Sequence, residues 1–194
     1  NKQNPVDENY DPGTLVKLAL PYASGDKQLE ERTAQALYAM MDEMRAAGIS
    51  DVYVTSAYRS FSYQQYLYNK YIADEESRGY SHEEAVERAG RYSAPPGYSE
   101  HQTGFVVDFM TSTMTDLDES FERTAAFGWL SENCYRFGFI LRYPKSDDKI
   151  AITGYDYEPW HYRFVGREAA TEIMKRGITL EEFLTLRTKI KDTV

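Results

Sequence analysis

The sequence predicts an α+β fold, a small and mostly antiparallel sheet flanked by helices. Helix-patterned and strand-patterned segments are mixed along the chain without a regular strand–helix–strand alternation, which disfavours a parallel α/β sheet. The strand candidates are short and rich in β-branched and aromatic residues, as in "DVYVTSAYR", "TGFVVDFM" and "WHYRFVG". The helix candidates repeat apolar residues at three- and four-residue steps.

Residues 1–26 read as an extended lead-in packed on the domain. Pro5, Pro12, Gly13 and Gly25 punctuate it, and "LVKLALPYA" suits a strand or a packing arm. Residues 27–47 predict a helix, with Leu29, Ala34, Leu37, Met41 and Met44 in helical spacing and Gly48 as its stop. A strand over 51–59 follows, then helices over 62–80 and 81–91. Ser81 and Glu84 form the S-x-x-E capping box that opens the second of these. The Pro95-Pro96-Gly97 cluster makes 92–101 a loop, because no helix continues through it. Residues 103–110 predict a strand, 120–138 a helix closing at Gly138, and 139–144 a strand halted by Pro144. A polar excursion over 145–159 precedes a strand at 160–166 and a helix at 167–177. Thr179 then caps a short last helix over 179–187. Repeats and low-complexity tracts are absent, so residues 27–194 read as a single domain.

Composition narrows the function classes. A chain of 194 residues with 42% hydrophobic and 27% charged residues suits one soluble globular domain with a real core. Seventeen Tyr and nine Phe fill such a core, or line a groove that grips an extended ligand. A net charge of −9 argues against a nucleic-acid partner, which needs clustered Lys and Arg. Cys134 is the one cysteine, so neither an internal disulfide nor a cysteine-based zinc site is available, and its place on a helix predicts a buried, small apolar role. No apolar run approaches the ~20 residues of a membrane span. The chain opens on Asn1 rather than Met, which reads as a removed N-terminal segment and leaves room for an upstream signal or anchor.

Of the three histidines, His82 sits in a helix start and reads as solvent-facing. His101 and Asp108 stand seven positions apart in "SEHQTGFVVDF", and His161 follows Glu158 by three in "EPWH". An Asp inside an apolar strand is unfavourable unless it is paired or bound. By two-residue alternation, Val106 and Asp108 share one face of that strand, and Val107 and Phe109 the other. His101, Asp108 and His161 make a His₂Asp set of the kind zinc accepts, with a fourth position for water and Glu158 to take the water's proton. Spacing alone leaves open the plainer reading, satisfied polar residues at loop–strand junctions.

Three segments together resemble a known family. "SEHQTGFVVDF" matches the S-x-H-x-x-G-x-x-x-D pattern of the VanY-type zinc D-alanyl-D-alanine carboxypeptidases, "EPWH" their E-x-W-H, and "SAYRSFSYQ" their S-x-Y-R-S-x-x-x-Q. The segments occur in the family's order, and the resemblance runs from about Lys27 to about Gly166. It implies the α+β fold shared by D-Ala-D-Ala peptidases and the hedgehog signalling domain. It also implies Zn2+ held by His101, Asp108 and His161, Glu158 as catalytic base, and Arg59 and Ser99 on the substrate's terminal carboxylate. Gln64 is implied to contact the substrate peptide. An Arg suits an exopeptidase, because its planar fork binds a free carboxylate through two bonds. Trp160, between base and ligand, is expected to pack.

The implied substrate is a peptidoglycan stem peptide ending in D-Ala. Cleavage of the D-Ala–D-Ala bond is favoured over L,D cleavage of a tetrapeptide stem. An endopeptidase and a non-catalytic wall-binding module are further alternatives. The resemblance implies an extracytoplasmic place in the bacterial cell envelope, and the protein is expected to be a monomer.

Overall fold

The structure, a computed structural model, describes residues 4–191. Residues 1–3 and 192–194, the extremities of the expected lead-in and domain, lie outside the described residues. Leu15–Lys17 (β1) pairs antiparallel with Gln28–Glu30 (β2), with Val16 opposite Leu29. This pairing takes residues 28–30 out of the helix predicted over 27–47, and α1 spans Glu31–Ala46. The cause is non-local: a strand partner some dozen residues upstream claims the backbone. The Glu30 carboxylate then caps the helix, accepting the Thr33 N–H at 3.1 Å. Ala34, Leu37, Met40, Met41 and Met44 are buried along one face of α1.

The remaining elements follow in order: β3 (Tyr53–Ser56), α2 (Phe61–Ser77), α3 (His82–Tyr92), β4 (Val106–Met110), α4 (Ala125–Asn133) and β5 (Phe139–Leu141). Then come α5 (Asp147–Thr153), β6 (His161–Phe164), α6 (Arg167–Arg176) and α7 (Leu180–Lys191). The main sheet has the order β3–β4–β6–β5, and every neighbouring pair is antiparallel. This is the small antiparallel sheet flanked by helices that the sequence predicts. The Ser81–Glu84 capping box opens α3, and Thr179 accepts the Glu182 N–H ahead of α7.

Local differences have local causes. Residues 100–103, expected as the end of a loop and the first strand residue, form a 3-10 turn ended by Gly104 at φ 75°, and β4 begins at Val106 rather than at 103. A Cβ there would lie 3.3 Å from the Glu30 backbone nitrogen, so the turn and β2 approach too closely for a larger residue without displacement. The helix expected over 120–138 is α4 flanked by 3-10 turns, closing at Gly138 with φ 89°. The polar excursion carries α5, and α7 extends past Arg187.

The alternation of β4 places the core and the site on opposite faces. Val107 and Phe109 enter the main core with Leu37, Met41, Phe139 and Tyr162, while Asp108 lines a cavity of about 1060 Å³. Burying a side chain such as Phe109 contributes about 1.5–3 kcal/mol, which anchors the strand that carries Asp108. Helices α2 and α3 pack together and supply one wall, with Tyr63, Tyr71 and Tyr92 facing the cavity. A second cluster, Ile140, Ala170, Ile173 and Phe183, joins β5 to α6 and α7. Among the described residues, no helix is long and apolar enough to cross a membrane.

Candidate metal centre

Backbone bonds bring the three motif segments together. The antiparallel register of β4 and β6 sets Asp108 opposite His161, which closes the gap of about 50 residues between their segments. Phe109 donates its N–H to Trp160 O at 3.1 Å in the same ladder. The first segment is tied to the second twice: the Arg59 N–H donates to His101 O at 3.2 Å, and His101 Nδ1 lies 2.6 Å from Ala57 O.

His101, Asp108 and His161 are all buried, and one ligand atom from each lies within 4.8 Å of the others. Among the described residues this is the one such group found. Asp108 uses both oxygens: Oδ2 is 3.0 Å from His101 Nε2, and Oδ1 is 2.9 Å from His161 Nδ1. A tetrahedron with bonds of about 2.1 Å has edges of about 3.4 Å, so small adjustments would seat a zinc-sized ion among these atoms. The donor set, two imidazoles and one carboxylate, suits that ion.

Charge in the site follows from burial and neighbours. Burial, with Arg59 adding to it, lowers His101 to about 4 against the pull of Asp108. The ring is therefore neutral, its Nδ1–H goes to Ala57 O, and its Nε2 lone pair faces Asp108. Burial works against the charged form of His161, yet Asp108, Glu100 and Glu158 raise it to about 9. Carboxylates that favour an imidazolium here favour a dication on Nδ1 for the same reason. Burial also opposes ionised Asp108, but His101 and His161 hold it well below the usual carboxylate range. Burial lifts Glu158 to about 7, with Asp108 and Glu100 adding and His161 and Arg59 opposing. Its Oε2 lies 3.4 Å from His161 Nδ1, and a quarter of its side chain is exposed to the cavity.

Arg59 and Ser99 also line the cavity. Arg59 Nε is buried without a hydrogen-bond partner. Burial pulls Arg59 down, against Asp108, Tyr71 and Glu158, but a guanidinium stays charged. A half-buried cation on a cavity wall, with one nitrogen unpartnered, is a receptor for an anion. Gln64 is not among the residues that line the cavity, and its Nε2 donates to Ala94 O at 2.7 Å and Ser93 Oγ at 3.3 Å. Its Oε1 is buried without a hydrogen-bond partner. Trp160 both packs on the main core and lines the cavity. His82 is exposed and meets Glu76, as its helix-start position predicts.

Sequence reasoning missed Glu100, Arg142 and the aromatic wall of Tyr143 and Tyr155. Glu100 is buried and paired with Arg142 at 2.9 Å. The adjacency of an acid to His101 was the available signal. Tyr143 stacks on His161 with ring centroids 4.8 Å apart, and the Tyr155 hydroxyl donates to Tyr98 O at 3.0 Å.

Comparison with known proteins identifies the family. The family model for VanY, D-alanyl-D-alanine carboxypeptidase, matches residues 26–167. A D-alanyl-D-alanine carboxypeptidase of Enterococcus faecalis is 39% identical over 184 residues, covering 95% of this chain and 63% of the relative. The chain thus spans somewhat under two thirds of that relative's length. A mutant of the vancomycin-resistance D,D-pentapeptidase VanY from a VanB-type cassette, solved in complex with Zn(II), superposes with a TM-score of 0.77. It is 39% identical, with 95% of this chain and 96% of that one covered. The LD-carboxypeptidase LdcB superposes with a TM-score of 0.82 at 35% identity, covering 95% and 83%. The chain belongs to the VanY D-alanyl-D-alanine carboxypeptidase family.

Proposed function

We propose that this chain is a zinc-dependent carboxypeptidase that removes the C-terminal D-alanine from peptidoglycan stem peptides, with the D-Ala–D-Ala bond as its preferred target. One observation carries the reading: two imidazoles and a carboxylate converge beside Glu158, in a cavity lined also by Arg59, whose Nε is unpartnered. The zinc-bound VanY relative and the carboxypeptidase name of the enterococcal relative support it.

In this reading His101 through Nε2, Asp108 through its carboxylate and His161 through Nδ1 hold the ion. Zinc supplies Lewis acidity, polarising a carbonyl and acidifying water. Arg59 binds the terminal carboxylate of the stem with its planar fork, and the Ser99 hydroxyl donates to the same group. Glu158 accepts a proton from the water that adds to the scissile carbonyl carbon. It returns that proton to the amine nitrogen as the peptide bond breaks. Gln64 acts on the peptide indirectly, by fixing the Ser93–Ala94 wall.

The likeness to LdcB supports a second reading, L,D cleavage of tetrapeptide stems by the same residues. Mass spectrometry of products from a pentapeptide and a tetrapeptide stem, with and without chelator, separates the two. The main reading expects D-Ala release from the pentapeptide, abolished by chelator. Release from the tetrapeptide alone favours L,D cleavage, and no release from either refutes both. An Arg committed to a terminal carboxylate argues against an endopeptidase, and the intact His₂Asp–Glu set against a non-catalytic module. Residues 27–194 work as one catalytic domain with 1–26 packed on it, as a monomer, outside the cytoplasmic membrane where stem peptides lie.

A further inference from the structure

We infer that Glu100 is a positioning residue of the metal centre: its carboxylate accepts the Nε2–H of His161, and Arg142, braced by Glu181 at the start of α7, holds that carboxylate in place. The inference rests on the reading of His161 as a ligand through Nδ1.

The two imidazoles of the site differ in their outer partners. His101 has one, Ala57 O, at 2.6 Å from Nδ1. His161 turns Nδ1 toward Asp108 and Glu158, so Nε2 points to the opposite side of the ring. There Nε2 is buried and without a hydrogen-bond partner. The carboxylate oxygen facing it is Glu100 Oε2, at 3.9 Å, and that oxygen too is buried without a hydrogen-bond partner. Two buried polar atoms of complementary kind facing each other stay costly until they bond. An approach of about 1 Å brings them to hydrogen-bond distance. Tyr143 stacks on the His161 ring at 30° between planes, which limits its rotation.

The rest of Glu100 is fixed. Its Oε1 accepts from Arg142 Nε at 2.9 Å, and Arg163 Nη1 lies 3.6 Å from Oε2. Arg142, 2% exposed, spends its two terminal nitrogens on Glu181 at 3.0 and 2.5 Å. Arg142 also continues the β5 ladder, donating its backbone N–H to His161 O at 3.1 Å. One residue, Arg142, therefore joins α7 and the turn that carries His101 through its side chain, and the strand that carries His161 through its backbone. A carboxylate on the far nitrogen of a ligating imidazole fixes its tautomer and raises its basicity, and loss of such a partner costs 10–100-fold in metal affinity. The Glu beside His101 would thus serve the other histidine.

The test uses the full chain, zinc, and a chromophoric chelator in competition at neutral pH. Glu100→Gln raises the zinc Kd about 10–100-fold, and Glu181→Gln raises it by less. In zinc-loaded protein, the proton–nitrogen NMR signal of the His161 Nε2–H moves in Glu100→Gln, while that of the His101 Nδ1–H does not. A purely structural ion pair would lower the melting temperature but leave both the Kd and the His161 signal unmoved, and that result overturns the inference. If Glu100→Gln does not fold, wild-type protein decides: a His161 Nε2–H protected from exchange supports the bond, and one exchanging freely with solvent overturns it. Wild-type protein that binds no zinc at this site would refute the proposed function as well, which distinguishes the two failures.

Discussion

Replacing Glu158 by Gln removes the proposed base while keeping its volume and its place beside His161. The three proposed ligands, His101, Asp108 and His161, are untouched, so zinc content stays at the wild-type level. Arg59 and Ser99 on the cavity wall are also untouched, so KM changes little. Neighbouring acids cannot take over. Asp108 is engaged by both histidines, and Glu100 lies on the far nitrogen of His161 and is bound to Arg142. The whole loss therefore falls on proton transfer, which contributes about 10²–10⁴-fold. That corresponds to about 2.7–5.4 kcal/mol of transition-state free energy. The assay is D-Ala release from a pentapeptide stem under saturating substrate, with zinc measured in the same samples. A kcat near wild type would refute the assignment of Glu158, and loss of zinc in step with activity would refute the separation of base from ligands.

Three further outcomes are expected. Arg59→Lys loses the planar fork, and a lost charge-assisted hydrogen bond of about 1.5–3 kcal/mol raises KM roughly 10–100-fold; an unchanged KM for the pentapeptide would remove Arg59 from carboxylate binding. Gly138→Ala places a Cβ 2.7 Å from Phe164 Cε2 and 3.0 Å from Gly166 C at φ 89°, so chemical denaturation should report a loss of about 2–4 kcal/mol; wild-type stability would contradict the packing. Burial pushes the Cys134 thiol up to about 12, so a thiol reagent at pH 8 should label the folded protein only after denaturant is added; rapid labelling without denaturant would contradict that burial.

Much of this site was legible because its cost was legible. An aspartate between Val107 and Phe109 is hard to place without a partner, and the structure supplies two histidines within 3.0 Å. The strands of the main sheet announced themselves by β-branched and aromatic content, and β4 keeps the two faces that alternation predicts. What escaped depends on pairing across distance. Residues 28–30 fit a helix by local pattern, and only pairing with Leu15–Lys17 makes them a strand. Gln64 gave no hint of its partners, Ser93 and Ala94, which lie 29 and 30 positions away. Glu100 gave no hint of Arg142, 42 positions on, or of Glu181 beyond it. Charge networks of this kind are set by the tertiary fold, and local periodicity does not encode them.

The central claim is that His101, Asp108 and His161 hold one zinc ion. Anomalous diffraction at the zinc edge, from crystals of the zinc-loaded chain, tests it most directly. The account predicts one strong peak about 2.0–2.2 Å from His101 Nε2, an Asp108 oxygen and His161 Nδ1. The absence of a peak among these three atoms, or a dominant peak elsewhere in the chain, would contradict it.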